Sequence, residues 1–329
     1  MPLALSDTRV RVGVVGTGRW GLNLARNFHG IGCLAGLCDS ASEALRTAVR
    51  ACPSVPGHDN ANDLISSGNV DAVAIATPAG THHDIAASAL AAGLHVFVEK
   101  PMTTDLAAAK ALVADARCSG LQLVTGHLLH YHPAFQSLLS LVRSDRLGAL
   151  HSIVTSRLIP GPAVPREHVL WEFAPHDVAM ILACAGALPS SVRCSGHGPH
   201  SDGSSAAQCS IELRFRTGLR TQTTVSWRSD SKVQRFEVHG ETGSAVFDDV
   251  APAEAKLKLT PAGQPPCAIR FPEQEPLAAE CAAFVEAVET GVAPLSGASE
   301  GLRVMTVLDA CFRSLNEKRT VLLQTPENG

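Results

Sequence analysis

The segment Val10–Gly21 reads VRVGVVGTGRWG and decides the fold of the first part of this chain. A short valine-rich run leads into three glycines with the spacing Gly16-x-Gly18-x-x-Gly21. In a strand–turn–helix unit the first glycine permits a tight turn, the second lets the backbone approach a phosphate, and the third permits close packing of helix on strand. The segment therefore predicts a β-strand followed by a helix whose N-terminus can bind an anion.

The sequence up to residue 126 repeats this pattern. Short apolar runs alternate with alanine-rich stretches, which is typical of βαβ units and a parallel sheet. The predicted strands are Val10–Val15, Leu34–Cys38, Ala72–Ala76, His95–Val98 and Leu121–Thr125. Residues 1–126 are therefore predicted to form an α/β domain, a Rossmann-like, doubly wound parallel sheet.

The pattern changes after residue 126. Helices are predicted at 133–146 and 169–184, but strand patterns then follow one another without helices between them. These predicted strands, with an earlier one at Leu150–Leu158, are Gln208–Arg216, Arg220–Trp227, Gln234–His239 and Ala245–Phe247. Residues 127–329 are therefore predicted to form an α+β domain with an open, mostly antiparallel sheet.

The end of the chain and the open sheet face add two expectations. Helices return at 277–290 and 299–318, and the helix near 299–318 is a candidate to pack back on the first domain. Alternating apolar residues such as Val225 and Trp227 are expected on the open face of the sheet. A face of this kind favours self-association, as a homodimer or homotetramer.

Composition excludes several classes of function. The 329 residues carry a net charge of −4 and no basic block, so neither nucleic acid nor an anionic membrane is expected as a partner. The N-terminal MPLALSDTRVRVG lacks the charged head and apolar core of a signal peptide, and no long apolar span follows. The ten cysteines are scattered without a Cys-x-x-Cys pair and are interpreted as reduced. We expect a cytoplasmic protein.

Asp39 gives the glycine loop a second element of a dinucleotide site. It lies 18 residues after Gly21, at the end of the second predicted strand, where a carboxylate accepts hydrogen bonds from ribose hydroxyls. A carboxylate at this position repels a 2′-phosphate, and Ser40-Ala41-Ser42 supplies no arginine, so NAD is favoured over NADP. The alternatives are an ordinary glycine turn and an N-capping role for Asp39.

Glu99-Lys100-Pro101 is the second motif that indicates chemistry. It closes the apolar run His95–Val98, where a lysine is unexpected, and the proline ends the strand directly behind it. In doubly wound sheets the carboxyl ends of the strands open into the ligand crevice. A cation at this end is therefore predicted to lie over a bound cofactor.

Together these motifs resemble the glucose–fructose oxidoreductase/inositol dehydrogenase/MocA (Gfo/Idh/MocA) family. The likeness runs from the first strand to about residue 322. Besides the glycine loop and Glu99-Lys100-Pro101, its carriers are Ala76-Thr77-Pro78 with Thr81-His82, GETGSAVFDD at 240–249 and GLRVMTVLDACFRSL at 301–315. Three further segments are similar to a branch that includes UDP-sugar 3-dehydrogenases: Ser156-Arg157-Leu158, LWEFAPHD at 170–177 and SWRSDSKVQRF at 226–236.

The resemblance implies an NAD-dependent enzyme and assigns its cofactor-binding residues. These are Gly16, Thr17, Gly18, Arg19, Trp20, Gly21, Asp39, Thr77, Pro78, His82, Glu99 and Lys100. It also implies three catalytic residues, Lys100, Glu172 and His176, contributed by both domains. Glu172 and His176 are four apart, which places them on one helical face.

Within that catalytic set the roles stay open. Imidazole as a class titrates near neutral pH, so His176 suits the base that takes the proton of a substrate hydroxyl. Lys100 is expected to bond the same oxygen and is itself a candidate acid/base. Glu172 departs from the family, which usually has aspartate there. Asp177 either orients His176 or faces elsewhere, and a helix histidine without catalytic function is the alternative for His176.

The remaining candidates concern the substrate. His127–His132 invites a metal interpretation, but no acid or cysteine joins it, and an extended segment would aim His127 and His130 to opposite faces, so no metal site is predicted. The resemblance implies that His130 or Tyr131 contacts sugar, and Glu172 and Asp177 are further candidates to bind substrate. Arg157 and Arg166 flank a Pro/Gly loop and are candidates to bind a diphosphate, the alternative being solvated arginines.

The sequence therefore predicts an NAD-dependent dehydrogenase that oxidises a secondary hydroxyl of a sugar. The favoured substrate is a nucleotide-linked sugar, a UDP-hexose or UDP-N-acetylhexosamine oxidised at C3. One alternative is a free sugar or cyclitol dehydrogenase or ketoreductase, and another is a non-catalytic NAD-binding regulator.

Overall fold

A computed structural model describes residues 10–160, 168–199 and 206–323. The chain divides into two compact units. Unit 1 consists of Met1–Leu128 and Glu275–Leu302, and unit 2 consists of Leu129–Gln274 and Arg303–Gly329. The first boundary between the two units, after Leu128, lies two residues beyond the domain boundary predicted after residue 126. The segment Glu275–Leu302 belongs to unit 1, although the sequence pattern groups most of it with the second domain.

Unit 1 contains a parallel sheet with the strand order β3-β2-β1-β4-β5-β6. Its strands are β1 (Val12–Val15), β2 (Leu34–Cys38), β3 (Gly57–His58), β4 (Ala72–Ile75), β5 (His95–Glu99) and β6 (Leu123–Gly126). Its helices are α1 (Arg19–Gly30), α2 (Ser42–Ala51), α3 (Ala61–Ile65), α4 (His82–Ala91), α5 (Leu106–Ser119) and α8 (Pro276–Thr290). This strand order confirms the predicted Rossmann-like, doubly wound sheet.

Helix α8 completes the apolar core of unit 1. The ring of Phe284 lies edge-on to Phe28 of α1 at 6.3 Å and to Phe97 of β5 at 5.7 Å. All three rings are fully buried. Edge-to-face pairs of this kind add about 0.5–1.5 kcal/mol each to the burial of their surface. A segment distant in sequence therefore supplies part of the core beneath the cofactor-type sheet.

Unit 2 contains a mostly antiparallel sheet with the order β14-β13-β12-β11-β7-β10-β9-β8-β15. The strands are β7 (Leu150–Leu158), β8 (Ser191–Pro199), β9 (Ala206–Arg214), β10 (Arg220–Ser226), β11 (Val233–Gly240), β12 (Gly243–Asp248), β13 (Leu257–Pro261), β14 (Cys267–Ala268) and β15 (Val321–Leu322). Its helices are α6 (Pro133–Arg143) and α7 (Val169–Ala185), and α9 (Ala298–Glu317) divides between the two units. This architecture confirms the predicted α+β domain.

The prediction that Val225 and Trp227 lie on the open face of this sheet is wrong. Val225 is fully buried, and the Trp227 ring packs on Phe173 of α7 at 4.3 Å. They therefore lie on the helix-covered face. The other face carries polar residues such as Gln222 and Glu212 beside the half-exposed Val154. Alternate residues of a strand face opposite sides of the sheet, and the sequence alone does not show which side the helices cover.

All ten cysteines lie in the described residues and are free thiols. Among the described helices, none is long and apolar enough to cross a membrane.

Candidate active site

The glycine loop of unit 1 is shaped for close approach of backbone to a ligand. Gly16 has φ +88°, and a Cβ there would lie 2.7 Å from the carbonyl carbon of Ala76. A Cβ on Gly21 would lie 1.7 Å from the Gly16 carbonyl oxygen, so only glycine allows α1 to pack this closely. A Cβ on Gly18, which precedes the first turn of α1, would meet nothing within 4 Å among the described residues. The loop therefore fits the diphosphate of a dinucleotide at a helix N-terminus.

Asp39 is held against this loop. One carboxylate oxygen accepts hydrogen bonds from the Thr17 backbone N–H at 2.7 Å and the Thr17 hydroxyl at 3.2 Å. The other accepts from the Ala41 N–H at 2.8 Å. Ala41, not Asp39, is the N-cap of α2, so the N-capping alternative is wrong. These bonds fix the carboxylate at the carboxyl end of β2, where a ribose is bound in this fold.

Glu99 lies at the carboxyl end of β5 and is buried. One carboxylate oxygen accepts a hydrogen bond from Trp20 Nε1 in the first turn of α1, and the other accepts from the Lys100 N–H at 3.2 Å. Its carboxyl group lies over Gly126, where a Cβ would come within 2.8 Å of it. Burial outweighs these favourable contacts and raises the pKa of Glu99 to about 7. Lys100 follows directly and is half-buried.

His82 connects the ends of β4 and β5. Its Nδ1 lies 2.8 Å from the Pro101 carbonyl oxygen, and its Nε2 lies 2.9 Å from that of Thr77. The ring is buried, and burial lowers the pKa of His82 even though both carbonyls favour protonation. His82, predicted to bind cofactor, therefore holds the two loops that contain Thr77-Pro78 and Lys100-Pro101.

The sequence interpretation missed two acids in unit 1. Glu300 of α9 lies 2.7 Å from His127 Nδ1, so an acid does join the His127–His132 segment. Glu280 of α8 is fully buried, and its carboxyl oxygens find no hydrogen-bond partner among the described residues. Burial, followed by the charges of Glu99 and Glu300, raises the pKa of Glu280 well above its ordinary value. Both acids come from the segment that sequence grouping assigned to the second domain.

In unit 2, helix α7 carries the predicted Glu172 and His176. His168 caps the helix, its Nδ1 accepting the Leu170 N–H at 3.1 Å. Pro175 lies inside the helix, where it lacks the N–H that would bond the Trp171 carbonyl. Glu172 and His176 are one turn apart on either side of that interruption, which confirms the predicted helix.

Asp177 and Arg157 bind each other. Arg157 Nε donates to Asp177 Oδ2 at 2.7 Å, and their side chains are only 6% and 1% exposed. The alternative of a solvated Arg157 is therefore wrong. The pair also answers the question left open for Asp177, because this carboxylate oxygen faces Arg157. Arg166 lies outside the described residues.

The segment with His130 and Tyr131 is not extended. Residues Leu128–Tyr131 form a single 3₁₀ turn, so the expectation of alternating faces is wrong. His130 and Tyr131 are both buried. His132 follows as the N-cap of α6, and its Nδ1 accepts the Ala134 N–H at 3.1 Å.

The glycine loop, Asp39 and the lysine at the end of β5 define the class of this protein as an NAD-binding oxidoreductase. The family model "Oxidoreductase family, NAD-binding Rossmann fold" matches residues 10–127, and the model "GFO/IDH/MocA C-terminal domain" matches residues 135–246. The chain belongs to the Gfo/Idh/MocA family of oxidoreductases. The family assignment made from the motifs is confirmed.

Relatives differ in substrate. UDP-N-acetylglucosamine 3-dehydrogenase of Acidithiobacillus ferrooxidans is 36% identical over 195 residues, 57% of this chain and 58% of that protein. Its solved structure has a TM-score of 0.85 at 27% identity and covers 93% of this chain and 98% of its own. Inositol 2-dehydrogenase of Rhizobium meliloti is 26% identical over 95% of this chain and 98% of its own length.

Proposed function

We propose that this protein oxidises a secondary hydroxyl of a nucleotide-linked sugar, at C3 of a UDP-hexose or UDP-N-acetylhexosamine, with NAD as acceptor. One observation carries the proposal for the reacting end. Lys100 follows directly on Glu99, and Glu99 is hydrogen-bonded to Trp20 in the first turn of α1, directly after the glycine loop. The lysine therefore follows the strand end that the first turn of α1 contacts. The choice of a UDP-sugar is supported by the similarity to UDP-N-acetylglucosamine 3-dehydrogenase.

The cofactor, when bound, accepts a hydride from the carbon that carries the hydroxyl. In the proposed mechanism Lys100 donates a hydrogen bond to that hydroxyl oxygen and stabilises the negative charge that develops there. His176 accepts the hydroxyl proton, and Glu172, one turn earlier on α7, orients the ring or the substrate. The alternative proton acceptor is Lys100 itself.

A cyclitol dehydrogenase is the second candidate. Its support is the match to inositol 2-dehydrogenase, which extends over 95% of this chain, whereas the match to the UDP-sugar enzyme extends over 57%. A non-catalytic NAD-binding regulator is disfavoured, because such a protein needs neither Lys100 nor His176.

The test is formation of NADH, followed by its absorbance, with a panel of UDP-sugars, free sugars and inositols. We expect turnover with a UDP-sugar and a 3-keto product by NMR. Lys100→Ala is expected to lower kcat by about 10²–10⁴-fold because it removes charge stabilisation and a proton-transfer partner. Lys110→Ala, an exposed lysine on α5, is the matched control and should keep wild-type activity.

The outcomes separate the candidates. Turnover with inositols but not with UDP-sugars would replace the proposal by the cyclitol reading. NAD binding without turnover of any member of the panel would remove the enzyme proposal. A Lys100→Ala variant with unchanged kcat would remove the role of this lysine but not the activity.

A further inference from the structure

A row of buried and half-buried polar side chains crosses the helix-covered face of the unit 2 sheet. Arg157 of β7 lies directly opposite Gln234 of β11 in the antiparallel register, and directly opposite residues in such a pair are in side-chain contact. Asp249 follows β12, and its N–H donates to the Gln234 carbonyl at 2.9 Å. With Asp177 of α7 at one end and His132 at the other, we call these five residues the polar row.

Each neighbouring pair in the polar row is in hydrogen-bonding range. Arg157 Nε donates to Asp177 at 2.7 Å. The Gln234 amide orientation that satisfies both neighbours accepts from Arg157 Nη1 at 3.1 Å and donates to Asp249 Oδ2 at 3.3 Å. Asp249 Oδ1 lies 3.4 Å from His132 Nε2. The row therefore connects α7 to the residue that begins α6.

At the His132 end of the row, Asp249 is held by two further partners, His132 and Lys256. His132 Nδ1 is occupied as the acceptor of the Ala134 N–H, so its Nε2 carries the proton that faces Asp249. Lys256 Nζ also binds Asp249 Oδ1, at 2.6 Å. Burial alone would raise the pKa of Asp249, but the bonds from His132 and Lys256 outweigh it and lower the pKa to about 2. Asp249 therefore stays ionised and holds Gln234 and His132 in the row.

The Asp177 end of the row lies beside Pro175, where α7 lacks one backbone hydrogen bond. Pro175 removes one backbone hydrogen bond from the turn that carries Glu172 and His176. The Arg157–Asp177 bond fixes the residue after His176 to strand β7. A buried arginine with Nε on Asp177 and Nη1 on Gln234 has two of its donor groups committed within unit 2.

We propose that Arg157 is a positioning residue that holds His176 through Asp177, rather than a ligand of the substrate diphosphate. This inference rests on the proposed function for its kinetic readout. Gln234 and Asp249 hold the arginine from the other side and join the α7 turn to the start of α6. A displacement of about 1 Å in a catalytic group can reduce a rate by about 100-fold, so the row acts on kcat.

The kinetic experiment compares Arg157→Met, Asp177→Asn and Gln234→Leu with the wild type. We expect kcat to fall by about 100-fold in Arg157→Met and Asp177→Asn and less in Gln234→Leu, with the sugar KM within about three-fold of wild type. In a His176→Ala background Arg157→Met should add no further loss, because its effect passes through His176. Arg235→Met, on the opposite face of β11, is the matched control.

Diphosphate binding predicts a different result. Arg157→Met would then raise KM for UDP-sugars without lowering kcat, Asp177→Asn would not reproduce it, and the loss would persist in His176→Ala. That pattern would overturn the proposal. Arg157→Lys provides a second variant if the methionine variant does not fold, and a kcat equal to wild type there would also overturn it.

A measurement without substrate separates this inference from the proposed function. Hydrogen exchange of the amides in residues 170–178 should be faster in Gln234→Leu and Arg157→Lys than in wild type, and unchanged in Arg235→Met. Unchanged exchange in both row variants would overturn the positioning role even if sugar oxidation is confirmed. Faster exchange with no turnover of any sugar would retain the row and remove only the proposed substrate.

Discussion

Buried carboxyl groups are held in opposite states in the two units. In unit 1, Glu99 and Glu280 are buried with few favourable partners, and the pKa of each is raised. In unit 2, Asp177 is paired with Arg157, and the pKa of Asp249 is lowered to about 2. Burial favours the neutral acid, whereas adjacent cations favour the charged one. The neutral form is therefore favoured for Glu99 and Glu280, whereas Asp249 keeps its charge.

The largest change in stability is expected when Asp177, the partner of Arg157, is removed from the polar row. Asp177→Ala leaves Arg157 buried without its carboxylate, and we expect the free energy of unfolding to fall by about 3–5 kcal/mol in urea denaturation. The double variant Arg157→Met/Asp177→Leu should recover most of this loss, since it removes both charges. A loss below about 1 kcal/mol in Asp177→Ala would mean that the pair is hydrated in solution.

The next test is the pH dependence that Glu99 contributes. Because its folded pKa of about 7 exceeds the ordinary value of 4.5, its contribution to stability is complete below pH 4.5 and is lost as the pH rises through 7. Relative to Glu99→Gln, wild-type stability should fall by on the order of 3 kcal/mol between pH 4.5 and pH 8. Urea denaturation across that range measures it. The exposed Glu43→Gln serves as control and should not reproduce this fall.

Asp249 should respond with the opposite sign. Its folded pKa of about 2 lies below the ordinary 3.8, so its contribution is present above pH 3.8 and is lost as the pH falls through 2. Compared with Asp249→Asn, wild type should lose on the order of 2 kcal/mol of stability between pH 5 and pH 2. Parallel stability curves for wild type and Asp249→Asn over this range would contradict the lowered pKa.

The smallest expected effect is a gain. Glu280 is fully buried, and its carboxyl oxygens have no hydrogen-bond partner in the described part of the chain. Replacing a buried, poorly partnered acid by an apolar residue of similar size removes a desolvation penalty. Glu280→Leu should therefore raise the thermal midpoint, by an amount equivalent to about 1 kcal/mol at pH 8. A lower midpoint would indicate that this acid is bonded in solution and would weaken the contrast between the units.

The glycine turn was predictable from the sequence because its requirements are local. The glycine spacing, the turn at Gly16 and the contact of Gly21 with the Gly16 carbonyl all arise within six residues. Asp39 was predictable for the same reason, since it directly follows the second strand of the same βαβ unit. Glu172 and His176 were identified from the family resemblance, and their spacing of four placed them on one helical face.

The polar row was not predictable in this way. Its five members come from five separate segments of the chain, and only the register of β7 against β11 shows that Arg157 lies opposite Gln234. From sequence, Arg157 was a candidate to bind a diphosphate, because an arginine beside a Pro/Gly loop fits that role as well as it fits a buried ion pair. Similarly, residue spacing does not show which face of the unit 2 sheet carries Val225, because this depends on where the helices pack. The burial of Glu280 likewise depends on the surface that α8 covers.

The position of α8 in the chain has a consequence for synthesis. The strands of unit 1 end with β6 at Gly126, but Phe284, which packs on Phe28 and Phe97, emerges from the ribosome well over a hundred residues later. At about 5–20 residues per second this delay is on the order of ten seconds. During that interval Phe28 and Phe97 lack the aromatic partner that Phe284 supplies in the folded unit. Chaperone dependence during translation, rather than low final stability, is therefore the expected weak point of this fold.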